Sequence, residues 1–325
     1  MPSDVSLDKH MTTLKLEDWI GNTADITDTV QLSVCEKMAA TVGIPCPESG
    51  GSLPPLWHWL FFHELSDSAE LGQDGHPVRG GFLPPVELPR RMWAGGRLRF
   101  FAPMKLGATI HRHSRITRVA SKQGKSGELC FVTVLHTFTQ ADASAASVSA
   151  GAGAGAGTAI GTVLMEEEHD IVYREALPIA QDSQSVLNSQ KDCDTLRSHI
   201  KASSTLITPL TPRSQTITPS VSVLFRYSAL TFNSHRIHYD REYCQSEEHY
   251  AGLVFHGPLT ATLMAGFAQN SLQQPLISFE FRALAPLLDI DTFTIDLEES
   301  SQGVDVFARK ADGTLAMQAS AAIAT

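Results

Sequence analysis

The sequence predicts an α+β fold built from two related halves, on three observations. In the second half an apolar helix comes first and a run of short strands follows, the element order of a helix packed on an antiparallel sheet. A motif recurs: Arg99-Phe100-Phe101-Ala102-Pro103 in the first half is echoed by Arg282-Ala283-Leu284-Ala285-Pro286 in the second, each closing a strand. The 325 residues are enough for about two domains with a sizeable core.

Composition excludes several classes. Apolar residues make up 42% and charged residues 18%, as in a globular protein. The net charge of −10 argues against a nucleic-acid surface, while a local basic groove for phosphates remains compatible with it. Cys35, Cys46, Cys130, Cys193 and Cys244 are odd in number and scattered, which suits a reducing compartment and no disulfide framework. No apolar run approaches the ~20 residues of a membrane span. The first residues carry Asp4, Asp8, Glu17 and Asp18 without Arg, and the last five, Ala-Ala-Ile-Ala-Thr, are not a peroxisomal signal. The compartment expected is mitochondrial or cytoplasmic.

In chain order, Thr27 to Val42 reads as a helix, with Val30, Val34, Met38 and Val42 on its apolar face. Pro54-Pro55 breaks the chain before the aromatic run Leu56 to Phe62, which fits a buried helix, a tunnel lining or plain core. Gly80 to Arg91 reads as loop. Strands are expected at Leu98 to Pro103, Thr109 to Val119 and Glu128 to Gln140, with a hairpin turn at Lys122 to Gly127. His111, His113 and His136 fall on these strands and are read as solvent-facing or satisfied. Residues 141–158 are Gly-Ala low complexity, read as an insertion between two strands of one sheet. Ile160 to Met165 resumes the strand, and the charged start of Glu166 to Glu175 is read as solvated. Residues 179–215 are polar and read as a linker. The organisation expected is therefore an N-terminal unit over 1–178, a linker over 179–215 and a C-terminal unit over 216–325. The last unit ends in strands at Leu276 to Leu284, Thr292 to Leu297, Val304 to Arg309 and Leu315 to Ala324.

The chemistry concentrates between Leu224 and Phe267. Asn233, His235 and His238 lie within six residues, followed by Asp240. An imidazole near pKa 6.5 exchanges protons at neutral pH, and an amide beside it can hold water or a substrate oxygen. The spacing equally fits a surface turn with no task, and a zinc set of His235, His238, Asp240 and Cys244 lacks any H-E-x-x-H or paired C-x-x-C support. About twenty residues on, Gly257 suits an N-cap and Pro258 a first helical position. Leu259, Leu263 and Phe267 recur at helical spacing with almost no polar side, which predicts a buried helix whose free N–H groups can hold a developing oxyanion.

Tyr227, Leu230, Asn233, His235, His238 and Asp240, followed by Val254-Phe255-His256-Gly257, resemble the signature of the MaoC-like, or R-specific, enoyl-CoA hydratases. That signature reads Y-x-x-L-S-G-D-x-N-P-x-H-x-D, then I-x-H-G. His238 falls on the family's catalytic His, Asn233 on its Asp and His235 on its Asn. The wording Thr-Phe-Asn-Ser-His-Arg-Ile-His-Tyr-Asp is similar to one branch: fungal mitochondrial 3-hydroxyacyl-thioester dehydratases and bacterial mesaconyl-C4-CoA and itaconyl-CoA hydratases. Arg90-Arg91-Met92-Trp93-Ala94-Gly95-Gly96 resembles a segment of the same branch.

The resemblance implies a double hot-dog, two sheets joined side by side with one active half, the N-terminal half covering the substrate tunnel. It implies reversible hydration of 2-enoyl thioesters, or dehydration of 3-hydroxyacyl thioesters, carried by CoA or a carrier protein, with no cofactor and no metal. A homodimer is an allowed assembly. The roles implied are His238 as acid/base, Asn233 and His235 orienting water or the β-hydroxyl, and Gly257 N–H at the oxyanion. Arg91, Trp93, Arg236 and His256 are expected at the substrate; His256 equally suits a structural role. A C5 dicarboxyl substrate would want Arg91 or Arg236 in the tunnel, and a fatty acyl chain the Leu56 to Phe62 run. A thioesterase, with Asp240 or Glu242 directing water, and a non-catalytic thioester-binding protein are the alternatives.

Overall fold

The computed structural model describes residues 15–124, 127–140, 161–175 and 205–324. The 141–158 insertion, most of the 179–215 segment and Cys193 lie outside them. Eleven strands form one antiparallel sheet: β1 (Thr23–Thr29), β2 (Arg90–Phe100), β3 (Thr109–Gly124), β4 (Gly127–Gln140), β5 (Thr162–Arg174), β6 (Ile207–Thr211), β7 (Ser214–Ile217), β8 (Leu276–Ala283), β9 (Phe293–Ser300), β10 (Gly303–Lys310) and β11 (Leu315–Ile323). Their spatial order is β1-β3-β4-β5-β2-β8-β11-β10-β9-β7-β6. The helices are α1 (Leu32–Val42), α2 (Val221–Leu230), α3 (Arg241–Ser246) and α4 (Gly257–Leu272). The fold is the expected α+β double hot-dog, its two sheets continuous through β2 and β8.

The join explains the repeated R-x-x-A-P motif. Superposing the motifs carries Arg99 onto Arg282 and Arg97 onto Glu280. In the structure Arg97 faces Glu280, while Gly95 faces Arg282 and Arg99 faces Ser278. The pairing therefore maps onto itself when the halves exchange, with a local two-fold axis at Arg97–Glu280. The N–H groups after each motif Arg repeat the pattern: Phe101 and Ala102 both donate to Leu164 O, and Leu284 and Ala285 both donate to Ala316 O. Gly95 permits the close seam, since a Cβ there would stand 2.5 Å from Phe281 O.

The halves differ in what covers the sheet. In the C-terminal half α4 lies against β8, β10 and β11 and buries Leu259, Ala261, Met264, Ala265 and Ala268. A helix with no polar side fits here because the facing strands present Phe279, Val306, Ala308 and Ala319, all buried. In the N-terminal half Leu53 N–H bonds Met104 O as Phe255 N–H bonds Leu287 O. Where a counterpart of α4 would start, the chain makes a 3-10 turn, Trp57–Leu60, and from there to β2 it forms no α-helix. The aromatic run Leu56 to Phe62 thus takes the place of the start of a central helix without continuing as one.

Several sequence expectations are corrected. Thr27 to Thr29 belong to β1, because Thr-Ala-Asp-Ile-Thr-Asp-Thr alternates and pairs with β3; the helix starts at Leu32. Arg90 to Gly96, expected in part as loop, are the first residues of β2. Glu167 is not solvated but 2% exposed. Strand alternation turns Glu166 and Glu168 outward to Arg99 (2.9 Å) and Arg97 (2.6 Å) and Glu167 inward. The end of the 179–215 segment holds the β6–β7 hairpin, which joins the sheet through β9. No helix among the described residues is long and apolar enough to cross a membrane, and Cys35, Cys46, Cys130 and Cys244 are free thiols.

Candidate active site

The imidazole turn forms where α2 ends. Phe232 takes a left-handed φ of 51° and reverses the chain. Asn233 Oδ1 then accepts the His235 N–H at 3.0 Å, an Asx turn. A 3-10 turn, Arg236–His238, follows, and Asp240 caps α3 by accepting the Tyr243 N–H at 3.1 Å. The rings of His235 and His238 end 5.6 Å apart at 88°.

His238 is held from two sides. Its Nδ1–H donates to Val254 O at 2.8 Å, so the neutral ring keeps its lone pair on Nε2. The His256 ring stacks behind it at 3.7 Å and 18°. His256 is fully buried and its Nε2 shares a hydrogen bond with Ser228 Oγ at 2.9 Å. Its expected contact with substrate is therefore corrected: caught between His238 and Ser228, it lines neither cavity described below and acts as a back support. Burial pushes the pKa of His238 down to about 4 against the raising effect of the Val254 bond. Burial, then the charges of His76 and His238, push His235 down to about 2. Both rings are neutral at pH 7.

The α4 cap is His256 rather than Gly257, a shift of one residue. Gly257 opens the helix, and the carbonyl one turn back, Leu253 O, accepts instead from Asp289 N–H. The Gly257 N–H thus has no intrahelical acceptor. A Cβ on Gly257 would meet nothing within 4 Å, so the space beside this first turn is open.

The N-terminal half completes the site. A tight loop over 71–77, closed by Gly72 N–H to His76 O at 2.7 Å, docks on the imidazole turn. Arg236 N–H donates to Asp74 O at 2.9 Å, and Ser234 Oγ–H donates to Gly75 O. The His76 ring lies 4.0 Å from the His235 ring, and its Nδ1 bonds Asp74 Oδ2 at 2.9 Å. Burial works to raise the Asp74 pKa, but the His76 hydrogen bond and charge outweigh it and keep the carboxyl ionised. A carboxylate thus reaches the site although its usual position holds Asn233. Asp74, His76 and His235 each bring a ligand atom within 4.8 Å of the others, a spacing that fits a divalent ion, but Asp74 and His76 already spend facing atoms on each other.

Two adjoining cavities meet at this cluster, both bordered by His76, Arg91, Trp93, His169, Asn233 and Pro258. One, of about 1000 Å³, holds His235, His238 and Gly257 and runs past Arg79 and Arg174. The other, of about 780 Å³, enters the N-terminal half between the 3-10 turn and the sheet. Arg91 and Trp93 are therefore where substrate binding was expected, with Trp93 stacked on His169 at 3.9 Å. Arg236 is not: its guanidinium bonds Asp240 at 2.7 Å and Gln73 O at 3.1 Å, so it clamps the docked loop. The zinc set does not assemble, since Asp240 is engaged by Arg236 and Cys244 Sγ points to Gly252 O at 3.0 Å. The same engagement removes Asp240 as a director of water.

Sequence reading missed Asp74 and His76, although Asp-Gly-His-Pro is a polar turn with an imidazole at its exit. It also set aside His136, which is 9% exposed, bonded through Nδ1 to Ser114 Oγ at 2.8 Å and part of the second cavity's wall. His111 and His113, by contrast, sit at the surface on Asp25, as expected.

Residues 56–289 match a family described as hydroxyacyl-thioester dehydratase type 2. The chain is 38% identical over 304 residues to a mesaconyl-C(4)-CoA hydratase of Chloroflexus aurantiacus, covering 93% of this chain and 95% of that one. It is 29% identical over 273 residues to a mitochondrial hydroxyacyl-thioester dehydratase type 2 of Schizosaccharomyces pombe, covering 77% and 84%. Among solved structures, a MaoC-like dehydratase superposes with a TM-score of 0.62 at 15% identity, covering 96% of this chain and 100% of that one. HtdX of Mycobacterium tuberculosis superposes at 0.58 and 13% identity, covering 91% and 97%. At these identities the structures speak for the fold.

Proposed function

The chain belongs to the hydroxyacyl-thioester dehydratase type 2 family and is a hydro-lyase, and from that premise we propose that His238 is the acid/base of a reversible hydration of 2-enoyl thioesters. The observation that carries the assignment is the neutral His238, its Nδ1–H spent on Val254 O, lining the same cavity as the open first turn of α4.

In hydration, His238 Nε2 accepts a proton from water as the oxygen bonds to the β-carbon. Electron density moves onto the thioester oxygen, where the Gly257 N–H and the dipole of α4 stabilise it. The His238 imidazolium then gives that proton to the α-carbon, which restores the neutral ring, and dehydration is the reverse. Asn233 spends its carbonyl on the turn, so its amide N–H groups are what it offers to the water or β-hydroxyl. His235, backed by His76 and Asp74, is the second proton-transfer group. Arg91 and Trp93 hold the acyl portion at the meeting of the cavities. CoA or a carrier-protein arm occupies the larger cavity, where Arg174 offers positive charge to phosphate. The compartment proposed is mitochondrial or cytoplasmic.

The test follows the enoyl-thioester absorbance with crotonyl-CoA and mesaconyl-C4-CoA for wild type and His238→Ala. The variant is expected to lose about 10²–10⁴-fold in kcat. Full activity in His238→Ala would remove His238 from the mechanism.

A further inference from the structure

The sheet face over the second cavity has a composition its counterpart does not share. With β5 laid on β11 through the Leu164 and Ala316 hydrogen bonds, strand register carries Glu167 onto Ala319 and His169 onto Ala321. The same register carries His136 onto Val306, Ser114 onto Leu297 and Arg112 onto Ile295. Five positions that are aliphatic in the C-terminal half are thus polar or charged in the N-terminal half, where the shortened helix leaves a cavity. Burying polar groups costs stability unless they are hydrogen-bonded, so a polar face on a hot-dog sheet needs a partner for its unspent groups.

Three of these five groups have hydrogen-bond partners. Both Glu167 oxygens accept hydrogen bonds, from His58 Nε2 and from Trp59 Nε1, each at 2.9 Å. His136 and Ser114 bond each other. Arg112 is left with unmet donors: its side chain is 14% exposed and its Nε and one terminal nitrogen are buried with no hydrogen-bond partner. The same terminal nitrogen forms a loose ion pair with Glu64 at 3.5 Å, but that carboxylate is 56% exposed and makes no hydrogen bond to it. His63 Nε2, in the same wall, is also buried without a partner. A guanidinium Nε–Nη edge that makes no hydrogen bonds can donate to both oxygens of a carboxylate in a two-toothed pair.

We propose that this cavity is a carboxylate subsite, with Arg112 as its fork, and that the enzyme's substrate is an acyl thioester whose far end carries a carboxylate. The proposal rests on the thioester reading above and narrows its acyl group. Of the two arginines expected to read such a carboxylate, Arg236 clamps a loop and Arg91 stands where the cavities meet; the proposal gives the role to Arg112, which stands on β3 with Ser114 two positions on along the same face.

Two isosteric pairs test it. Fumaryl-CoA carries a carboxylate where crotonyl-CoA has a methyl group, and both report hydration. Succinyl-CoA and butyryl-CoA differ in the same way and report binding alone, by calorimetry. In wild type the carboxylated member of each pair is expected to be favoured about 100-fold. Arg112→Met should collapse both ratios toward one, and Arg112→Lys, which keeps charge without the fork, should lose about 10-fold and decide the matter if the Met variant does not fold. Wild type favouring the methyl compounds, or ratios unmoved by the folded variants, would overturn the subsite. Discrimination between succinyl-CoA and butyryl-CoA that depends on Arg112, with neither enoyl thioester hydrated, would sustain the subsite while refuting the hydratase reading.

Discussion

The reactive imidazole of His238 depends on neighbours that never meet substrate. Its tautomer comes from one backbone carbonyl, and its orientation from a stack on His256 that Ser228 anchors. Ser228→Ala leaves His256 Nε2 buried without its partner, which costs ~1–3 kcal/mol. The expected result is a lower melting temperature together with a roughly 10-fold fall in kcat at nearly unchanged KM. A stability loss with kcat intact would show that the stack does not position His238. Asp74→Asn keeps the turn but removes the charge behind His76. A 10- to 100-fold loss of kcat without loss of stability is expected if the pair assists His235; unchanged kcat would make the pair structural.

At the scale of elements, the docked 71–77 loop is the feature whose loss should cost most. Gly75 has φ of 86°, and a Cβ there would fall 1.9 Å from Ser234 O. Gly75→Ala therefore adds strain and a backbone clash and should separate the loop from the imidazole turn. Activity is expected to fall at least 100-fold while the sheet, read by far-UV circular dichroism, persists; near-wild-type turnover would mean that the loop does not complete the site. This contact was not legible in the sequence, because it joins residues about 160 positions apart and no local period encodes such a meeting. What was legible has local causes. The alternation of β3 and β4, the wholly apolar α4 and the repeated R-x-x-A-P motif each state their structure within a few residues. The Asn233, His235, His238 cluster was readable for the same reason. Arg112, Glu167 and His136 were not, because strand alternation tells inward from outward only when inward residues are apolar. A polar inward row looks like a solvated one until its register is known.

For the molecule as a whole, buried imidazoles set the acid limit of stability. His76, His136, His169, His235, His238 and His256 all have pKa values pushed down by burial. In the unfolded chain the same groups titrate near ~6.5. Between that value and about 4 the unfolded chain binds more protons, so stability is fully present above ~6.5 and is lost as pH falls. The melting temperature is expected to drop by on the order of 10 °C between pH 7.5 and 5.0. A flat profile would mean that the fold accepts these protons. The seam at β2 and β8 has its own consequence for what this protein could become. An isologous homodimer of single hot-dog units would pair its edge strands with the same self-mapping register, but every substitution in such a dimer appears twice, so a polar floor opposite one active site would also undermine the core beneath the other. Placing both units in one chain lifts that constraint: Arg112 can replace an aliphatic residue in one half while Ile295 stays in the buried core of the other, and catalyst and specificity pocket can change independently of each other.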